Sequence, residues 1–420
     1  MRGPEWLRRR RSEAFEEFVT TPWPSAKEDV WRYSPIEALD LDAYRPVGDR
    51  TATEPPAALD ALVARVAPHG AVVTRDGVRD IGPGLSPVAL PNGVSIASAE
   101  HPGALGTVLD GGDALVRLHD AFVSDPVVIE VAAGAVVDRP VVVVHWIGGA
   151  PGTGDPAPAV FPRTVVHVGR AARASVVEVV AGVTGDLRGL VVPVTELDVD
   201  QEGQLDYVGL QVLGTGAWHV GRLAGRVGTD AALRSFTLGL GGSYARLRTD
   251  AAAAGARGRC ELRSAYVGSG DQVHDIRTLQ DHLAPHTTSD LLCKGAVAGA
   301  ARSVYSGLIR VRRGAVRSEA LQTNHNLVLD GGSHADSVPN LDIEENDVRC
   351  THASTVGPVD EDQLYYLESR GVAPDRAERL VVSGFFGDVI ARSPVPSVVG
   401  VLEDEVGARL DRITSGGVDA

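Results

Sequence analysis

Cysteine is scarce in this chain: 420 residues hold only Cys260, Cys293 and Cys350. Three scattered thiols cannot frame a disulfide scaffold, so a reduced, cytoplasmic setting is expected. Lysine is scarcer still, at Lys27 and Lys294 alone. The other basic residues are arginines, which reads as a compositional bias rather than a mechanism. No apolar run approaches the roughly 20 residues that a membrane-spanning helix needs. The basic run Arg8 to Arg11 leads into Ser12-Glu13-Ala14-Phe15-Glu16-Glu17. That is no apolar leader, so the run is read as a solvated helix face and not as a secretory signal. A net charge of −15 argues against nucleic acid or an anionic membrane as partner. The G-x-x-x-x-G-K-[ST] loop is missing, since Lys294 is followed by Gly295 and Lys27 has no glycine loop, so the chain is not expected to hydrolyse ATP itself. The C-x-x-C pair and the G-x-S-x-G elbow are missing too, which removes thioredoxin chemistry, paired-cysteine zinc sites and hydrolase elbows.

What remains is an ordinary folded composition, 44% hydrophobic and 23% charged, with little aromatic content (5%). The length allows two or three domains, or one large solenoid. The first 45 or so residues read as helical pieces interrupted by Pro22, Pro24 and Pro35, and residues 57 to 66 as a short helix. Gly70 to Ile96 suggests short strands and turns. From about Asp120 the texture changes. Short β-branched runs such as DPVVIEVAAGAVVDRPVVVVHW alternate with Gly, Ala and Asp turns as far as Ile343, with no helical pattern between them. A βαβ fold is therefore not expected. A sandwich of about seven strands rarely fills such a span. The long run and sparse aromatics favour a parallel β-helix with coils of roughly 20 residues and small residues at the corners. One continuous solenoid over about 120 to 350 is expected, capped at both ends by helical or irregular segments. The tail returns to helix. Asp360-Glu361-Asp362-Gln363 reads as a capping box and Gly371 as a stop, and Pro374 opens a second helix to about Ala391.

The stretch 344–357 carries the densest chemistry. Cys350 and His352 sit two apart after the acidic turn Glu344-Glu345-Asn346-Asp347 and before Ala353-Ser354-Thr355-Val356-Gly357. On a strand, Val348, Cys350 and His352 share one face, with Cys350 and His352 about 7 Å apart. A thiol and an imidazole so placed are soft and borderline metal ligands, though too few for a structural zinc site. Cys350 serves equally as a packed thiol. Cys260 and Cys293 read as buried small hydrophobes. His274, His282 and His286 are spaced across loop-like sequence and are assigned to turns and a dimer face rather than to a metal. Asn324 and Asn326 suit a ladder in a β-helix interior or corner. Glu344 and Glu345 offer the paired carboxylates of a carbohydrate-active β-helix enzyme, or simply a solvated turn.

Several of these segments together resemble the SufB/SufD family of iron–sulfur cluster assembly proteins. They are Gln322-Thr323-Asn324 with Asn326-Leu327, Pro339-x-Leu341-x-Ile343, Asp347-Val348-x-Cys350-x-His352, Thr355-Val356-Gly357 and Leu364-x-Tyr366-Leu367-x-Ser369-Arg370-Gly371. Upstream, His274-Asp275, His286, Ser289-Asp290 and Ala301-Arg302-Ser303-Val304 with Gly307 fit the same pattern, as does Trp23-Pro24-x-x-Lys27-x-x-x-Trp31-Arg32-Tyr33 near the start. The resemblance is weakest over 34–120 and 390–420. The Trp-Pro to Trp-Arg-Tyr start, the form of the Cys350–Gly357 segment and the low cysteine count favour the SufD branch over SufB. Ala353-Ser354 stands where Gly-Ala is common, a small-for-small change.

The resemblance implies a mainly β fold, a right-handed parallel β-helix with α-helical N- and C-terminal segments. It divides the chain into a helical and mixed capping region (1–119), the β-helix core (120–357) and a C-terminal helical region that docks SufC (358–420). It implies a non-enzymatic scaffold that pairs with SufB through the β-helix and draws energy from ATP hydrolysis in SufC. His352 matches the SufD histidine implicated in cluster assembly at the SufB–SufD joint, with Cys350 beside it. The iron–sulfur cluster would be transient and shared with SufB. A reduced flavin belongs to what the resemblance allows, without any residue here that reports it. A homodimer of the isolated chain and a SufB-like homodimeric scaffold are further expectations. In the tail helix, Val381, Phe385 and Val389 form one stripe and Val382, Phe386 and Ile390 a second. Either one stripe packs on Leu364 and Leu367 and the other is left for SufC, or both stripes pack against the solenoid.

Overall fold

The β-branched runs become strands because each is buried on both faces, which explains why they read as near-continuous apolar segments rather than as alternating ones. The computed structural model describes residues 3–47, 57–79, 90–97, 105–109, 111–148, 156–182 and 187–414. Strands are laid alternately into two parallel ladders. The first runs through Val127–Val131, Arg163–Val168, Val194–Val199, Ala217–Val227, Tyr244–Ala253, Val273–His282, Arg302–Val311 and His334–Ile343. The second runs through Gly70–Arg75, Val141–Ile147, Arg173–Gly182, Gln204–Val212, Ala232–Gly239, Arg259–Gly268, Thr288–Val297, Glu319–Val328 and Arg349–Gly357. This is a parallel β-solenoid, mainly β, with helices towards both termini. Parallel pairing reaches upstream of residue 120, where Gly70–Arg75 pairs with Val141–Ile147.

The coils are longer than the roughly 20 residues expected. Arg173, Gln204, Ala232, Arg259, Thr288, Glu319 and Arg349 stack in register, so successive coils span 31, 28, 27, 29, 31 and 30 residues. From Gln204 onward each coil is two strands of 8 to 11 residues joined by tight corners, which flattens the solenoid into two sheets. One column of corners consists of Ala171, Glu202, Asp230, Arg257, His286 and Arg317, all left-handed with φ between 55° and 61°. Most are not small residues. A left-handed L-residue costs about 1 kcal/mol or more. Here each N–H donates to the carbonyl of the next corner, from Ala171 N to Gln201 O through to Arg317 N to Asp347 O. Those inter-coil bonds offset the strain and hide the repeat from a search for glycine. Gly255 is a true steric requirement, since a Cβ there would lie 2.0 Å from Thr229 N.

The interior is packed with Val, Leu, Ala, Cys260, Cys293, Tyr266 and Tyr305. The outer faces are covered unevenly. Helices α1 (Glu5–Thr20) and α3 (Ala114–Phe122), with the segment between Trp23 and Leu41, cover the first sheet. Helices α2 (Ala57–Val66), α4 (Glu361–Ser369), α5 (Pro374–Ile390) and α6 (Val399–Thr414) lie on the second. The sequence reading placed neither α3 nor α6. Asp113 was the available signal for α3, since its carboxylate caps Leu115 N and Val116 N. As expected, Asp360 caps α4, through Asp362 N and Gln363 N, and Gly371 ends it with φ 87°.

The two ends of the solenoid differ. At the N-terminal end Val78–Arg79 and Val94–Ala97 add antiparallel edges. At the C-terminal end the expected cap is missing among the described residues. The tail helices fold back along the second sheet and pack on Arg259–Gly268 and Thr288–Val297 instead. Burial falls accordingly, from Val141–Ile147, buried throughout, to Arg349–Gly357, almost wholly exposed.

Candidate functional site

His334–Ile343 and Arg349–Gly357 are the terminal rungs of the two ladders, each paired on one side only. An unpaired parallel edge offers a row of backbone donors and acceptors to another chain. Leu321, Leu341, Ile343 and Val356 are exposed at or beside these rungs. Cys350 and His352 share the inward face of the last strand, as the period of two predicts. In register they lie over Ala320 and Gln322, both buried. Being terminal, the rung leaves His352 exposed. Cys350 is half-buried against the cluster of Ile309, Val311, Ala315 and Ala320, beside Val348. That burial raises its thiol pKa, which holds it protonated in the isolated chain. The chain thus presents one open imidazole and one thiol.

A polar string runs from this end into the solenoid. The Ser354 and Ser337 hydroxyls are 2.6 Å apart, and Ser337 donates to Asn324 Oδ1 at 2.8 Å. Asn326 Nδ2 donates to the same oxygen at 2.7 Å, and Tyr266 donates to Asn326 Oδ1 at 2.6 Å. Asn324 and Asn326 are therefore the interior ladder anticipated from sequence. Gln322, one rung beneath His352, is fully buried, with neither amide atom hydrogen-bonded.

The other candidates separate. Cys260 and Cys293 are buried, and burial pushes both thiols up to about 12. His274 and His282 do not lie in turns or on a dimer face; they are enclosed in the strand Val273–His282, and only His286 is at a corner. His282 bonds Thr287 and Ser289 through its two ring nitrogens. Glu345 accepts from Gly314 N and Asn346 N, so it ties a turn rather than pairing with Glu344 for chemistry. One cluster escaped the sequence reading because only strand register assembles it. His167 Nδ1 lies 3.4 Å from Asp198 and Nε2 lies 3.6 Å from Asp200. Arg226 holds both oxygens of Asp198 at 2.9 and 2.7 Å. One ligand atom from each of His167, Asp198 and Asp200 lies within 4.8 Å of the others, but the Arg226 guanidinium already engages both oxygens of Asp198, which favours a charge cluster over a cation site.

The tail helices do not leave a whole apolar stripe free. Val382, Phe386, Val389 and Ile390 are buried against the second sheet, and α6 supplies Val401, Leu402, Val406 and Leu410 to the same core. Val381 and Phe385 are partly covered there too, along with Leu364. Phe385 also caps Lys294, whose ammonium lies 4.6 Å from its ring and 2.7 Å from Asp388. Of the two packings open from sequence, the covered one holds, because α6 returns to cover α5. What stays exposed is Tyr365 (74%) and Tyr366 (58%) on α4, with Leu380 on α5.

Comparison with known proteins agrees with this architecture. The SufBD core domain of the SUF system for FeS cluster assembly matches residues 152–385. An iron–sulfur cluster assembly SufBD family protein of Mycobacterium tuberculosis is 39% identical over 211 residues, covering 48% of this chain and 53% of that protein. The match thus spans about half the length of such mycobacterial relatives. The iron–sulfur cluster assembly protein SufD of Escherichia coli is 24% identical over 380 residues, 89% of this chain and 86% of its own length. The chloroplastic protein ABCI7 of Arabidopsis thaliana is 26% identical over 404 residues, 92% and 83% respectively. Among the described residues no helix is long and apolar enough to cross a membrane. With the solenoid core and its matching span in place, the chain belongs to the SufBD family of SUF-system iron–sulfur cluster assembly proteins.

Proposed function

We propose that this chain is a SufD-like scaffold of cytoplasmic iron–sulfur cluster assembly, not itself an enzyme. In this reading it pairs with SufB across its terminal rungs, and SufC supplies ATP hydrolysis. The carrying observation is the exposed His352, set on an uncapped strand edge among exposed Leu341, Ile343 and Val356. Neutral imidazole is a borderline base suited to iron. Cys350, half-buried and raised in pKa, is the weaker donor until a partner or metal draws off its proton. The cluster is then a shared, transient cargo whose softer ligands come from SufB.

The test is anaerobic co-purification with SufB and SufC, followed by iron and sulfide analysis. His352→Ala is expected to leave folding and SufC binding intact, because the side chain is exposed on the terminal rung. Cluster content is expected to drop several-fold. A normal iron and sulfide yield from that complex would remove His352 from the site.

We place the SufC contact on α4 and the exposed edge of α5. Tyr365, Tyr366 and Leu380 are large apolar or aromatic side chains left exposed on these two helices, and exposed aromatics are enriched where partners bind. Phe386 cannot serve as a probe of docking, since an aspartate at that fully buried position would break the core. The pair Tyr365→Asp and Tyr366→Asp is expected to abolish pull-down of SufC with the circular dichroism spectrum unchanged. Undiminished pull-down by both variants and by Leu380→Asp would exclude this face.

A further inference from the structure

Solenoid interiors are normally filled, because close packing leaves few voids larger than a water molecule. Here a cavity of about 70 Å³ lies in the middle coils, bordered by Tyr207, His219, Leu223, Leu247, His274 and Ile276. Glycine stands at three of its inward strand positions, Gly209, Gly221 and Gly239. Gly209 leaves room for the Tyr207 hydroxyl, and Gly221 for the His219 ring, either of which a Cβ would crowd at 3.0 and 2.8 Å. Gly239 differs, since a Cβ there would stand 3.8 Å from His274 Nδ1. The Nδ1 side of His274 therefore faces a position with no side chain.

His274 is fully buried, and neither ring nitrogen has a hydrogen-bond partner. Its ring is held in place by stacking on Tyr266, with centroids 5.5 Å apart and planes 18° from parallel. A Cβ at Gly268 would come 3.0 Å from Cδ2 and 3.5 Å from Nε2, so a glycine borders that edge as well. A buried polar group without a partner costs about 1–3 kcal/mol, and such a group in a folded protein normally points to a water or ligand. A purely apolar void would stay dry, but one with polar partners and room holds a guest.

The chemistry of the guest follows from the walls. Burial, with the charges of Arg409 and His219, lowers the His274 pKa to about 3, so the ring is neutral at physiological pH. Neutral imidazole has one N–H to give and one bare nitrogen to accept. At the far side of the cavity Glu178 is already saturated by His145, Thr164, Thr195 and Tyr207. An anion would face that carboxylate and a cation would face Arg222 and Arg246, and an ion of either sign would leave water for largely apolar walls. We propose that the cavity is a binding site for a small uncharged molecule carrying both a hydrogen-bond donor and an acceptor, seated on His274 beside Gly239. Solvent water and a small organic amide or alcohol share that chemistry. This site is independent of the scaffold reading, since it lies several rungs from His352.

The test is a crystal structure of the full chain at a resolution that shows ordered water, with mass spectrometry of a solvent extract of the denatured protein. Density within hydrogen-bond distance of a His274 ring nitrogen is expected. Water-sized density with an empty extract assigns solvent, and larger density with a co-extracted molecule assigns a metabolite; both support the site. No density at either nitrogen overturns it. Gly239→Val, which places methyls before Nδ1, is expected to expel the guest. His274→Phe, which keeps the stack on Tyr266, is expected to do the same without filling that space. A guest that persists unmoved in His274→Phe would show that His274 does not anchor it, and would also overturn the proposal.

Discussion

Asp275→Asn is expected to loosen the N-terminal segment from the solenoid and to lower stability by about 3–5 kcal/mol, the usual cost of stripping one partner from a buried ion pair. Asp275 is fully buried between two guanidiniums, 2.6 Å from Arg246 and 2.5 Å from Arg277, and also accepts from the Tyr244 hydroxyl at 2.8 Å. Those arginines reach past it to the backbone of the segment that covers them. Arg246 donates to Val30 O at 2.7 Å and lies 3.7 Å from the Trp31 ring centroid, and Arg277 donates to Arg32 O at 2.5 Å. Burial alone would raise the Asp275 pKa, but Arg246 and Arg277 together hold it below the usual carboxylate range. Its stabilisation is therefore present above the unfolded value of about 4 and is lost as pH falls through the depressed folded value. The asparagine keeps the shape and removes the charge, leaving two buried cations without their anion. Urea unfolding reads the stability. A lysine-specific protease reads the local release, because Lys27 lies in the covering segment and Lys294 is buried in a strand. Faster cleavage at Lys27 with the solenoid still folded is the expected pattern. An unchanged urea midpoint together with unchanged cleavage would show that the clamp does not hold the segment.

That clamp also marks where the sequence was legible and where it was not. The β-branched runs and missing helix pattern identified the solenoid, and period two placed Cys350 and His352 on one face, because both depend on local alternation. The Trp23 to Tyr33 segment was recognised as a pattern, but its partners Arg246 and Asp275 stand more than 200 residues away and emerge only from coil stacking. The coil length was misjudged for a related reason. Corner residues such as Glu202 and Arg257 take left-handed φ under inter-coil hydrogen bonds, so no glycine period announces the turns. At the C-terminus, Val382 and Phe386 were correctly seen as apolar, but which surface covers them depended on α6, whose Gly400 and Gly407 dilute its helical signal. Nor does local pattern reveal that, among the described residues, the last rung lacks a cap, the feature that leaves His352 open.

Stability is expected to fall steeply as pH drops below about 6.5, the value of an unperturbed histidine. Four of the buried histidines, His119, His219, His274 and His282, are held neutral. Burial, chiefly, lowers His119, His219 and His282 to about 4 and His274 to about 3. Arg163 and Arg10 add to the effect at His119, and Arg409 and His219 at His274, whereas Asp120, Glu178 and Asp281 oppose it at His119, His219 and His282 respectively. Since each folded pKa lies below the unfolded one, the unfolded chain takes up protons first. The stabilisation is fully present above about 6.5 and is lost as pH falls towards the folded values. Each group contributes a slope of about 1.4 kcal/mol per pH unit, so the four together reach about 5 kcal/mol per unit near pH 5. Against a total stability of about 5–15 kcal/mol, that is enough to unfold the chain before most carboxylates titrate. His167 works the other way. Asp198 raises its pKa, so it adds stability below about 6.5, but it is one group against four. Urea midpoints measured from about pH 7.5 down to about pH 5.5 should fall continuously, and His274→Phe should reduce the slope by about one proton's share. A midpoint that stays level across this range would mean that these histidines are not held neutral in the folded chain.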